Sequence, residues 1–338
     1  MNRIFLLLIF LINFLFSQWF TLNHDGIMRS YYVAYPADIN PDENAPLIIN
    51  MHGFGGNAQQ QQYYTEMDAY AHPQNIAVVY PQGLNNSWNV FTYWDSNPYD
   101  DVSFINQMLD DISNNFDIDE DRIYACGMSN GGYMAYRLAC DLSDKITAFG
   151  SVTGNFMLQN ADIYDCIDQE REIPIIHFHG TADPVVNYFP PSFDGSLTVS
   201  ESIDFWASYN DLDSLYNDSI NQNVDLEVHS NDLSTKFVHY KINGGAHEWF
   251  GSSWAVDWGF NTSEELINFF LEYKLSDFIT TQLNGDVNND GLLNIQDVIL
   301  IINLVLGDSY IDIGDLNDDN EIDVLDVVIL VNIILNTI

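Results

Sequence analysis

Basic residues are scarce in this chain. Its 338 residues hold nine Lys and Arg against 49 Asp and Glu, a formal net charge of −40. That balance argues against nucleic acid as a partner, because phosphate contacts need clustered cationic side chains. Anionic surfaces and anionic polysaccharides are repelled for the same reason, most strongly at low ionic strength. The charge otherwise speaks for solubility or a salty milieu. Cysteine is scarcer still, at Cys126, Cys140 and Cys166 only. No Cys-x-x-Cys spacing exists, so a zinc–thiolate centre is not expected. The apolar run Ile4 to Phe16 contains Asn13 and falls short of the roughly 20 residues of a membrane span. With Arg3 before it and Ser17 after it, residues 1–17 read as a secretory signal, and the mature protein as secreted or extracellular. Export permits a disulfide. Cys140 and Cys166 are the better pair, since Cys126 falls in an expected buried strand; three free buried thiols are the alternative.

What is present is a regular alternation. Tyr31 to Tyr35, Pro46 to Met51, Ile76 to Tyr80, Arg122 to Cys126, Ala148 to Val152, Ile173 to Phe178 and Lys236 to Ile242 read as strands. Asp101 to Phe116, Asn130 to Cys140, Ser200 to Tyr209 and Thr262 to Tyr273 read as helices. The expected fold class is α/β, a mostly parallel sheet covered on both faces, with ligands at the carboxyl ends of the strands. After Lys274 the texture changes: from Asn284 onward there are 11 acidic residues and no basic ones. The expected organisation is a signal (1–17), an α/β domain (18–276), a short polar linker (277–283) and a small all-α domain (284–338).

One short run points to chemistry. Gly127-Met128-Ser129-Asn130-Gly131 follows an expected strand and precedes an expected helix, the arrangement of a nucleophile elbow. A serine hydroxyl needs a base, and the base needs a partner that holds its tautomer. Downstream, Asp183 follows the strand that ends at His179, and His247 lies in Gly244-Gly245-Ala246-His247-Glu248-Trp249. The order Ser, Asp, His is that of α/β-hydrolases. His177 and His179 share a strand and are expected to be packed and hydrogen-bonded, two metal ligands being the alternative. His24, His72, His229 and His239 lack a glycine-rich context. The oxyanion donors are expected to be the backbone N–H of Asn130 and that of Phe54 in His52-Gly53-Phe54-Gly55-Gly56, with Gly55 the alternative to Phe54.

These residues carry a resemblance. The two glycine-rich motifs just quoted, with Tyr80-Pro81-Gln82-Gly83, His179-Gly180-Thr181-Ala182-Asp183-Pro184 and Gly245-Ala246-His247-Glu248-Trp249, resemble the secreted polyhydroxybutyrate depolymerase and feruloyl esterase family of α/β-hydrolases. The likeness covers about residues 28 to 273. It implies an α/β-hydrolase sandwich, a Ser129–His247–Asp183 triad, and ester hydrolysis with no catalytic cofactor. Trp249-Phe250-Gly251 departs from the family's frequent Trp-Pro-Gly. Trp88, Trp94 and Trp249, near the motif ends, are candidates to stack on an aromatic acid or a sugar, core packing being the alternative. The expected substrate is a feruloyl or acetyl ester of polysaccharide. A polyhydroxyalkanoate depolymerase, a serine peptidase and a non-catalytic binding protein on a hydrolase scaffold are the other readings.

The acidic tail repeats itself 29 residues apart. Asp286, Asn288, Asp290, Asn294 and Asp297 fall at loop positions one, three, five, nine and twelve of a calcium loop, with a backbone carbonyl expected from Leu292. The second copy offers Asp315, Asn317, Asp319, Asp323 and Asp326, with the carbonyl of Glu321. Asn320 stands where the first copy has glycine, and asparagine tolerates the left-handed conformation. Each loop leads into a short apolar helix, Val298 to Leu306 and Val327 to Leu335. The repeat resembles a type I dockerin, which implies two structural Ca²⁺ ions and a cohesin-like scaffold or surface partner.

Overall fold

The structure is a computed structural model that describes residues 18–36, 43–91, 97–157, 171–192, 195–232, 235–278, 284–288, 292–307, 309–317 and 319–337. The expected signal at residues 1–17 lies outside them. The chain divides into two compact units between Leu275 and Ser276.

In the larger unit, ten strands among the described residues form one sheet. They are β1 (Gln18–His24), β2 (Ile27–Ala34), β3 (Ala45–Met51), β4 (Ala77–Pro81), β5 (Ile118–Met128), β6 (Ala148–Val152), β7 (Ile175–Gly180), β8 (Ser214–Asn221), β9 (Val224–Ser230) and β10 (Lys236–Ile242). Their spatial order is β1-β2-β4-β3-β5-β6-β7-β10-β9-β8. The run from β4 to β10 is parallel, and an antiparallel pair closes each flank. Every residue of β3, β4, β6 and β7 is buried, as a strand covered on both faces requires. β8 lies at the edge and is exposed almost throughout. Its sequence, Ser-Leu-Tyr-Asn-Asp-Ser-Ile-Asn, alternates too weakly to announce a strand.

Helices α1 (Ala58–Thr65) and α2 (Met67–Ala71) connect β3 to β4, α3 (Asp101–Asn115) precedes β5, and α4 (Asn130–Asp141) follows it. α5 (Val199–Tyr209) and α6 (Thr262–Phe270) complete the layers. Caps fix their starts. Asp100 accepts the Ser103 N–H at 3.0 Å, Asn261 accepts the N–H groups of Ser263 and Glu264, and Thr198 and Glu201 form a reciprocal capping box. α4 buries every residue from Asn130 to Cys140, so it is the central helix of the core. A buried ion pair, Arg29 to Asp101 at 2.6 Å, ties β2 to α3. Asp101 also accepts the Asn89 N–H at 2.8 Å, and so holds the loop before α3. Cys126 is a free buried thiol, and burial raises its pKa. Cys140 is disulfide-bonded, while Cys166 lies outside the described residues.

The smaller unit contains α7 (Ile295–Gly307) and α8 (Val324–Thr337). Val298 and Ile301 of α7 meet Leu330 of α8 in its core, with Val287, Leu316 and Ile322 packed around them. Both helices begin inside the acidic loops, a turn earlier than the apolar run predicts, because the loop's last carboxylate caps the first turn.

Candidate active site

β5 ends at Met128 and α4 begins at Asn130, which leaves Ser129 alone in the turn. Its backbone has φ 52° and ψ −120°, a strained conformation for a residue with a Cβ, costing about 1–3 kcal/mol. Packing compels it. The Ser129 N–H donates to Val152 O at 2.8 Å, and Ser129 O accepts the Tyr133 N–H at 2.9 Å. The flanking glycines permit the turn's close approach. A Cβ at Gly131 would lie 2.2 Å from Met51 O, and one at Gly127 would lie 2.5 Å from Gly131.

β7 and β10 are parallel neighbours, with Gly180 level with Ile242. The loops leaving their carboxyl ends are joined by three bonds: Thr181 N–H to Ile242 O (2.8 Å), Ala182 N–H to Gly245 O (2.9 Å) and Gly244 N–H to the Thr181 hydroxyl (2.8 Å). From these loops Asp183 and His247 meet, with His247 Nδ1 donating to Asp183 Oδ2 at 2.7 Å. Asp183 Oδ1 accepts the N–H groups of Val185 (2.8 Å) and Val186 (2.9 Å), which fixes the carboxylate plane. Burial alone would raise the Asp183 pKa. The His247 hydrogen bond and charge, with the Val185 N–H, outweigh it, and the carboxyl sits below its ordinary value. With Nδ1 committed to a carboxylate, Nε2 is the ring nitrogen of His247 left for other chemistry.

The buried histidines are hydrogen-bonded, as the strand position predicts. His177 Nε2 donates to Gly154 O at 3.0 Å, His179 Nε2 to Val186 O at 2.9 Å, and His239 Nε2 pairs with the Tyr188 hydroxyl at 3.0 Å. Burial pulls the His177 pKa well down and that of His239 to about 3. His179 has a further position that packing alone does not predict: its Nε2 lies 3.5 Å from Asp183 Oδ2, while its Nδ1 lies 3.4 Å from His177 Nε2.

The loop after β3 closes over the elbow. A Cβ on Gly53 would stand 3.4 Å from that of Ser129. Gly55 N–H donates to Asn86 O at 2.7 Å, so this alternative oxyanion donor is already engaged. Asn130 begins α4, and its side-chain amide pairs with Trp88, accepting from N at 2.7 Å and donating to O at 3.1 Å. His52 is a residue whose part was not foreseen. Its Nδ1 donates to Gly53 O at 2.8 Å and its Nε2 accepts the Gly83 N–H at 3.0 Å. Burial lowers its pKa to about 4, so it stays neutral and splices two loops beside Ser129. The signal was a histidine placed directly before a glycine-rich turn.

The aromatic expectations need correction. Trp88 and Trp249 are fully buried. The Trp88 indole donates to His52 O at 2.9 Å and the Trp249 indole to the Ser263 hydroxyl at 3.0 Å. Both are structural, because neither ring face is open to a substrate. Phe250 is buried too, so the departure from Trp-Pro-Gly repacks the interior. Trp94 lies outside the described residues.

In the smaller unit the two acidic loops share one pattern. Asp297 accepts the N–H groups of Val287 (3.0 Å) and Asn294 (3.0 Å), and Asp326 those of Leu316 (2.8 Å) and Asp323 (2.8 Å). Asn320 has φ 65°, the left-handed turn that glycine takes in such loops. Asp286, Asp297, Asp315 and Asp326 are all buried, in a segment without Lys or Arg. Oxygen donors buried together in this way suit a hard cation. Among the described residues, no group of three His, Cys, Asp or Glu side chains is arranged to hold a metal ion. Asp290 lies outside them. Also among the described residues, no helix is long and apolar enough to cross a membrane.

Comparison with known proteins bears on the larger unit. Residues 39–194 match the family model described as phospholipase/carboxylesterase. The chain is 28% identical over 243 residues to a bifunctional acetylxylan esterase/xylanase of Neocallimastix patriciarum, covering 69% of this chain and 34% of that protein. It is 32% identical over 164 residues to feruloyl esterase B of Piromyces equi, covering 47% and 30% respectively. The chain thus spans about a third of the length of these two relatives. Among solved structures, a thermostable esterase superposes with a TM-score of 0.52 at 20% identity, covering 76% of this chain and 63% of that one. A CE1 ferulic acid esterase of Anaeromyces mucronatus gives 0.50 at 15% identity, covering 77% and 91%. At such identities the structural likeness is one of fold.

Proposed function

We propose that this chain, whose larger unit has the α/β-hydrolase fold, is an exported serine carboxylic ester hydrolase acting on feruloyl or acetyl esters of polysaccharide. The observation that carries the reading is the His247–Asp183 pair at 2.7 Å, set on loops at the same sheet edge as the strained Ser129. In this reading Ser129 Oγ attacks the ester carbonyl while His247 Nε2 takes its proton. Asp183 stabilises the imidazolium that results. The N–H groups of Asn130 and Phe54 hold the developing oxyanion. The alcohol departs with the proton from Nε2. Water then attacks the acyl carbon, giving its proton to the same nitrogen, which passes it to Ser129 Oγ as the acid leaves. No step calls for a cofactor.

The substrate class is supported by the names of the relatives, a feruloyl esterase and an acetylxylan esterase. The smaller unit is proposed to be a calcium-ordered docking module with a cohesin-like partner, supported by the doubled loop pattern and its buried carboxylates. Asp286, Asn288, Asp290, Asn294 and Asp297 would hold one ion, with Asp315, Asn317, Asp319, Asp323 and Asp326 the other. Through such a partner the enzyme would be tethered near its substrate.

The test is a panel of feruloyl, acetyl, short aliphatic and hydroxybutyrate oligoesters with the purified protein and its Ser129→Ala variant. Turnover of the feruloyl or acetyl esters that vanishes in the variant supports the reading. Near-normal turnover by Ser129→Ala refutes the nucleophile, and preference for the oligoester moves the activity to polyester depolymerisation.

A further inference from the structure

Large aromatic side chains of the larger unit are mostly interior: Trp88, Trp206 and Trp249 are each 0% exposed. Two are not. Tyr63 on α1 is 64% exposed and Trp254 is 56% exposed, and their rings lie against each other with centroids 4.8 Å apart and planes at 38°. An aromatic pair left this open forgoes about 1.5–3 kcal/mol of burial per ring, so its persistence calls for a reason.

Both rings sit on fixed backbone. Glu248, next to His247, accepts the Val256 N–H at 3.3 Å and the Trp258 indole N–H at 3.0 Å, which closes the loop that carries Trp254. Glu66 accepts the Ser253 N–H at 3.0 Å, and the Tyr64 hydroxyl accepts the Trp249 N–H at 3.1 Å, which binds that loop to α1. The rings are therefore presented, in the manner of a preorganised contact surface. Beside them is an open cleft of about 400 Å³ lined by Gln59, Gln62, Tyr63, Glu66 and Asp68. Gln62 donates to Asp68 at 2.7 Å, which sets the direction of its amide.

We propose that the Tyr63–Trp254 pair and its flanking amides form a carbohydrate subsite that holds the backbone of a neutral, pyranose-based polysaccharide. Flat ring faces take the C–H face of a sugar by stacking, and Gln59 with Gln62 offers amides suited to ring hydroxyls. Glu66, Asp68 and the net charge of −40 exclude a uronate chain by repulsion. The placement suits the task. α1 starts directly after the loop of Phe54, and Trp254 follows His247 by seven residues. The Tyr64–Trp249 bond ties α1 to the loop that carries His247. The purpose assigned to the subsite rests on the esterase reading, whereas sugar binding itself does not.

The experiment separates the two. Full-length Ser129→Ala protein is titrated with xylohexaose, and intrinsic tryptophan fluorescence is followed. A saturable change is expected, lost when Trp254→Ala is added and retained with Trp254→Phe as judged by calorimetry. In the active enzyme, Trp254→Ala and Tyr63→Ala should each lower kcat/KM on an esterified xylan oligosaccharide about tenfold through KM. Both should keep kcat/KM on a small chromogenic ester within twofold. Absence of a saturable response to xylohexaose overturns the subsite, as does a stronger response to polygalacturonate or to methyl ferulate alone. If no ester is turned over, the titration still decides the subsite and the esterase reading alone falls.

Discussion

Gly131→Ala should cripple turnover while leaving the fold in place. A Cβ there would stand 2.2 Å from Met51 O, 2.7 Å from Met51 C and 2.8 Å from His52 O. An ordinary carbon–oxygen contact is about 3.3 Å or more, so roughly 1 Å of separation must be found. All three obstacles are backbone atoms, and no rotamer can relieve them. Met51 belongs to a fully buried strand, so the loop from His52 to Phe54 and the elbow must part instead. These are the two proposed sources of oxyanion donors. A displacement of about 1 Å in such a constellation costs on the order of 100-fold in rate, or about 2.7 kcal/mol of transition-state stabilisation. Overpacking should also lower stability by about 1–3 kcal/mol. The assay is kcat on a soluble chromogenic ester, beside urea unfolding followed by near-ultraviolet circular dichroism. Gly26→Ala is the control, with φ +80° but nothing within 4 Å of the added carbon: it should lose stability and keep kcat. Wild-type kcat in Gly131→Ala would refute the proposal that these two loops share the oxyanion.

Three further outcomes are expected. Asp183→Asn keeps the Val185 and Val186 contacts on Oδ1 but can present an amide N–H to His247, so kcat should fall about 10³–10⁴-fold with little loss of stability, measured by steady-state kinetics and melting. His239, held near pKa 3 by burial against an ordinary value of 6.5, gains its proton only on unfolding across this window, so its contribution is whole above pH 6.5 and is lost as pH falls toward 3. Between pH 7 and pH 5 this is about 2 kcal/mol, and His239→Gln should lose that much less than wild type on acidification in paired urea titrations; equal losses would count against a neutral buried ring. Chelation of Ca²⁺ should reduce far-ultraviolet circular dichroism of the full chain and leave chromogenic-ester activity intact, whereas an unchanged spectrum would speak against calcium in the acidic loops.

The catalytic candidates were readable because glycine marks them. Gly127, Gly131 and Gly180 stand where backbones touch, and spacing records that constraint. The parallel strands were readable because each carries a short, mostly apolar buried stretch, as Ile123 to Cys126 does in β5. α1 was not, since four consecutive glutamines show no apolar period and its place is set by the loop before it and by Gln82, which accepts the Ala58 N–H. β8 and β9 escaped for the opposite reason: an exposed edge hairpin needs no hydrophobic signature. Trp88 and Trp249 fell to the core-packing alternative because residue type does not say which way an indole faces. Trp88 turns inward to a backbone carbonyl from its place in a loop. Trp254, with no motif to mark it, faces solvent.

The three bonds between the loops of Thr181 and Gly245 give the molecule a mechanical division of labour. Acid and base hang from one bracket, and the nucleophile hangs from another, across β6. Heat or a distant substitution should therefore slide the bracket as a whole before it pries the imidazole from its carboxylate. An ageing or weakened enzyme would lose its aim at the serine while the paired side chains still held hands.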